Sequence, residues 1–62
     1  MTMPQDFQEE YQLFLRDTGF EDPDPRELLT DLVTRSMEVY PREIAWLSRF
    51  IGRLDKARYM AA

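Results

Sequence analysis

Sixty-two residues with twelve acids, eight bases, no cysteine and no histidine carry a net charge of −4 and read as one small domain, residues 1–62. Without Cys or His, disulfides and the usual zinc sites are excluded, so a chain this short must rest on close helix packing or self-association. A hydrophobic content of 44% argues against disorder, and no apolar run approaches the roughly 20 residues that span a bilayer.

The N-terminus, Met1-Thr2-Met3-Pro4-Gln5-Asp6, lacks the basic start and apolar core of a signal peptide. A soluble, cytoplasmic protein is expected. A first helix is predicted from Pro4 to Asp17, with Pro4 in its first turn and Asp6 facing the positive end of the dipole. Phe7, Tyr11, Phe14 and Leu15 share the arc that should pack; Asp6, Glu9, Glu10 and Asp17 lie opposite, with Leu13 among them. Gly19 is suited to a left-handed C-terminal stop, after which Phe20 could fold back onto Leu15.

Glu21-Asp22-Pro23-Asp24-Pro25 reads as a stiff acidic connector, because residues before proline avoid the helical region. Asp24 should cap a second helix, with Pro25 at its first position and Glu27 at its third. That helix is predicted to reach about Val39, and Leu28, Leu29, Leu32, Val33, Met37, Val39 and Tyr40 cover about half of its wheel.

Pro41 breaks the ladder and starts a third helix running to about Tyr59, with Met60, Ala61 and Ala62 fraying. Ile44, Leu47, Ile51 and Leu54 make its core stripe, Trp46 and Phe50 an aromatic shoulder, and Arg42, Arg49, Arg53 and Lys56 a basic edge. Gly52, one turn after Ser48, leaves either a notch for another backbone or a tolerated glycine. The expected fold is all-α: a small three-helix domain, an antiparallel hairpin of helices 2 and 3 with helix 1 packed across it.

No catalytic constellation is visible, and a non-enzyme without cofactor or metal is expected. Ser36 and Ser48 have no histidine to activate them, and Lys56 sits on an exposed basic edge. Asp22 and Asp24 suggest a calcium loop, but Arg26 stands where the third oxygen ligand belongs, and the loop's glycine and closing Glu are missing. No glycine-rich phosphate loop occurs.

Charge is polarised along the chain. Residues 1–31 hold nine acids against Arg16 and Arg26; residues 32–62 hold three acids against six bases. Internal closure, helix against helix, is the default outcome of such polarity. Three binding surfaces nonetheless suggest themselves. Asp6, Glu9, Glu10, Leu13, Asp17, Glu21, Asp22 and Asp24 could engage a protein partner with a basic surface, including a groove built for nucleic acid, with Leu13 as an apolar anchor. Met37, Tyr40, Trp46, Phe50 and Tyr59 could bury one another in a homodimer. Arg42, Arg49, Arg53 and Lys56 could track phosphates, although the net charge of −4 opposes direct nucleic-acid binding.

In size, acidity and helicity the chain resembles the small acidic inhibitors that phages encode against host machinery, anti-CRISPR proteins and other DNA mimics among them. That likeness implies a protein-binding inhibitor or regulator; it rests on no motif and transfers no residue.

Overall fold

Three helices account for most of the chain: α1 (Gln5–Thr18), α2 (Pro25–Ser36) and α3 (Pro41–Ala61). The computed structural model describes residues 3–61, the side chains of Ser36 and Ala61 apart, so Met1, Thr2 and Ala62 lie outside the described residues. No strand occurs among them, and the fold is all-α as expected.

Helix α3 is the longest element. Its 21 residues at 1.5 Å each span about 31 Å, which sets the long axis of a body measuring 36 × 19 × 17 Å. It begins at Pro41, as the sequence predicts, because a proline at the first helical position gives up a donor that would be unpaired anyway. The Ile44 amide donates to the Tyr40 carbonyl at 3.0 Å and opens the ladder. Leu47, Phe50 and Leu54 are fully buried, Ile51 sits at the edge of the core and Ile44 is half-buried. The helix extends two residues beyond the expected Tyr59, to Ala61.

Helix α2 starts where expected, with the Asp24 carboxylate accepting from the Arg26 amide at 2.9 Å and Pro25 at the first position. It ends at Ser36, three residues short of the predicted Val39, and Met37–Val39 form a turn. The cause is Pro41: with no N–H it leaves the Met37 carbonyl without a helical donor. Val39 is 67% exposed, so no packing holds the extra turn in place. Leu28 and Leu32 join Leu47, Phe50 and Leu54 in the core, and Arg26 pairs with Asp55. The start of α2 thus meets the end of α3, the antiparallel hairpin the short connection implies.

Helix α1 opens at Gln5 rather than Pro4, which takes the capping position, and it closes on Gly19. That glycine has φ +81°, and its amide donates to the Leu15 carbonyl at 2.7 Å. Phe20 then packs its ring on Phe14 and Tyr40, with centroids 6.3 and 5.3 Å apart. Residues 19–24 fold back along α1, and the Tyr11 hydroxyl donates to the Asp22 carbonyl at 2.6 Å. Phe7 meets Phe50 and Phe14 meets Trp46, so α1 also runs antiparallel to α3.

Gly52 lies on the exposed side of α3, and a Cβ built there meets nothing within 4 Å. No described backbone approaches the notch it makes with Ser48. Replacing Gly52 by Ala should therefore stabilise the fold by about 1 kcal/mol, the helix-propensity difference. A thermal melt reads this as a rise of roughly 4–8 °C for a domain of this size; a fall would show that the open face needs its glycine.

Candidate functional site

Helix α1 is gripped on one side and open on the other. Phe7, Tyr11 and Phe14 point inward, where Tyr11 stacks on Phe50 at 5.7 Å and Phe14 lies parallel to Trp46 at 4.0 Å. Such pairs add about 0.5–1.5 kcal/mol each beyond area burial. At its flank Glu10 takes both guanidinium nitrogens of Arg53 at 2.9 Å, and Arg53 also lies 5.6 Å from the centre of the Phe7 ring. The hydrogen bond to Glu10 holds the Arg53 pKa above its ordinary value. The pair is bidentate but exposed, so it marks the register of α1 on α3 while the aromatic contacts hold the helix there.

The eight residues expected to meet a protein partner therefore divide. Asp6, Glu9, Leu13, Asp17 and Glu21 are exposed, and Leu13, in the middle of the row, keeps 60% of its surface in water. Glu10 is half-buried and committed to Arg53. Asp22 and Asp24 each spend a carboxylate oxygen inside the connector: Asp22 accepts from the Asp24 amide at 2.9 Å, and Asp24 caps α2. Their charges remain, but their geometry serves the turn.

The five residues expected at a self-association surface do not form one surface. Phe50 is 1% exposed inside the monomer, and Trp46 and Tyr40 are half-buried in the same aromatic cluster. The reason is α1, which covers the aromatic shoulder of α3, and Phe20, which the connector delivers to Tyr40. Met37 and Tyr59 are exposed, one before α3 begins and the other near its far end.

The basic row is exposed at Arg42, Arg49, Arg53 and Lys56. Since α1 and α3 are antiparallel with Glu10 at Arg53, this row runs directly beside the acids of α1. Between α1 and α3 the charge polarity of the sequence is closed by one hydrogen-bonded pair among the described residues, Glu10–Arg53. Arg26–Asp55 and Asp31–Arg35 complete the ion pairs among the described residues.

Two features escaped the sequence. The buried Tyr11 hydroxyl is pushed to a higher pKa, chiefly by burial and then by the Asp22 and Asp24 carboxylates. Its only sequence signal was a polar tip on the packing arc of the first helix. A cleft of about 720 Å³ also opens between α1, the connector and the end of α3, with Gln12, Leu15, Glu21, Arg26 and Arg58 on its walls. It depends on the connector folding back, which no local spacing encodes.

Among the described residues no group of three acids could hold a metal ion, and no helix is long and apolar enough to cross a membrane. Ser48 lies on an exposed helical face; the Ser36 side chain is outside the described residues. Comparisons with models of protein families, with curated proteins and with solved structures found no match for the chain.

Proposed function

We propose that this protein is a non-catalytic interaction module, a small acidic helical regulator or inhibitor whose α1 face takes a basic surface of another cytoplasmic protein. The observation that carries this is Leu13. An exposed leucine, flanked by Asp6, Glu9 and Asp17 on a helix immobilised from behind, is an apolar anchor inside a fixed row of carboxylates. The row spans about 16 Å from Asp6 to Asp17 at helical rise, and the far side of α1 is clamped, so little entropy is lost when it docks. In the inhibitor form of the proposal the target groove is one built for nucleic acid, and the carboxylates stand in for phosphates. Against direct binding of nucleic acid through the neighbouring basic row stand the pairing of Arg53 with Glu10 and the net charge of −4.

Affinity capture from host lysate, with and without nuclease, tests the proposal. Leu13→Asp and the double variant Glu9→Lys with Asp17→Lys change exposed positions, so stability should move by only about 0.5 kcal/mol. Each should cut retention of a basic protein about tenfold or more, as loss of an interface anchor does. Retention untouched by both variants would refute the α1 face. Nuclease-sensitive retention of nucleic acid, lost on Arg49→Glu, would move the function to α3.

A further inference from the structure

The face shared by α1 and α3 carries an acidic row and a basic row side by side, and this two-row pattern is complementary to itself. Phe7 meets Phe50, Glu10 meets Arg53 and Phe14 meets Trp46, which fixes the antiparallel register. In that register Asp6 stands within about one helical turn of the height of Lys56, and Asp17 within about one turn of Arg42. α2 lies on the other flank of α3, through Leu28 and Leu32 and the Arg26–Asp55 pair, and so leaves this face open.

We propose that two copies of the chain pair through this face about a two-fold axis parallel to the helices, and that this pairing regulates access to the α1 face. It rests on the reading of that face as a binding surface and names what covers it before a partner does. An axis parallel to the rods, lying in the contact plane, keeps heights and exchanges the rows. Asp6 then faces the second copy's Lys56, and Asp17 its Arg42, each twice by symmetry. The perpendicular in-plane axis would set acids on acids and bases on bases, so charge selects the first.

The middle of the face suits an interface core. Glu10 and Arg53 have already neutralised each other there, and Leu13 lies alongside them, over the level of the Arg49 stem. A dimer held mainly by exposed ion pairs must weaken with salt.

Sedimentation across a concentration series tests the pairing. The wild-type chain should move from 7.5 kDa towards twice that mass, with a dissociation constant that weakens about tenfold between low and high salt. Asp6→Lys with Asp17→Lys should be monomeric, and so should Arg42→Glu with Lys56→Glu; both leave the Glu10–Arg53 clasp intact, and helical circular dichroism verifies their folding. An equimolar mixture of the two variants should associate again, because each reversed row then meets its opposite. A wild-type chain that stays at 7.5 kDa throughout, or a mixture that stays monomeric, overturns the pairing. Lysate capture abolished by Leu13→Asp would still stand in that case, so failure of the dimer and failure of the α1 face are told apart.

Discussion

Phe50→Ala should lower the stability of the fold by about 3–5 kcal/mol. The Phe50 ring is 1% exposed and touches three other aromatic rings, Phe7 at 5.6 Å, Tyr11 at 5.7 Å and Trp46 at 5.0 Å. Truncating such a side chain removes its transfer free energy and opens a cavity, for a loss of about 3–5 kcal/mol. Stability of about 0.05–0.15 kcal/mol per residue gives a 62-residue domain only about 3–9 kcal/mol in total. The substitution therefore removes between about a third and all of it. It also frees α1, because Phe7 and Tyr11 both grip α3 through this ring. Near-ultraviolet circular dichroism and a urea titration check the outcome: a weakened aromatic signal is expected, with a transition displaced by about 3–5 kcal/mol or lost altogether. A sigmoidal transition displaced by less than about 1 kcal/mol would show that α1 is held by something other than Phe50.

The second large effect belongs to Tyr11. Tyr11→Phe deletes the donor of the 2.6 Å hydrogen bond to the Asp22 carbonyl, at a cost of about 1–2 kcal/mol. It should also remove a pH dependence. Burial, with the Asp22 and Asp24 carboxylates nearby, raises the pKa of Tyr11, so the fold favours the neutral phenol. The resulting stabilisation is fully present below the unfolded value of about 10. Above it the unfolded chain releases a proton that the folded chain keeps. Stability then falls by up to about 1.4 kcal/mol per pH unit until the folded pKa is reached. Urea titrations of wild type and Tyr11→Phe at about pH 8 and about pH 11 should give curves that converge as pH rises. A difference between the two that stays constant with pH would mean that Tyr11 ionises in the folded state as readily as in the unfolded one.

Both effects show which parts of the molecule the sequence made legible. The stripe Ile44, Leu47, Ile51 and Leu54 could be read from periodicity alone, because one helix repeats its faces every 3.6 residues. The cap at Asp24 and the stop at Gly19 were legible too, since each depends on the chemistry of a few adjacent residues. What could not be read was whatever depends on two distant segments meeting. Nothing near Phe50 in the chain says that α1 will cover it, so its ring passed for dimer surface. Likewise the pairing of Glu10 with Arg53, 43 residues apart, withdraws one acid from the expected row and one base from the expected stripe. The end of α2 failed for a smaller reason: apolar Met37 and Val39 suggested a continuing helix, while Pro41 had already removed the donor that would complete it.

The candidate face shows the same division. That α1 carries carboxylates and Leu13 outward follows from spacing. That they lie beside a basic row, and not on an isolated acidic surface, follows only from the antiparallel packing on α3. This juxtaposition makes the face a dipolar strip, and a partner that fits it must offer cations opposite α1 without crowding Arg42, Arg49 and Lys56. A uniformly basic groove meets that demand at the α1 edge alone.

An amide-resolved NMR titration of the isotopically labelled chain with its captured partner measures the central claim most directly. Shifts and line broadening should concentrate on Asp6, Glu9, Leu13 and Asp17, with the buried amides of Leu47 and Leu54 unmoved. Changes centred instead on Val33, Met37 and Val39, the other exposed apolar positions near the end of α2, would contradict it.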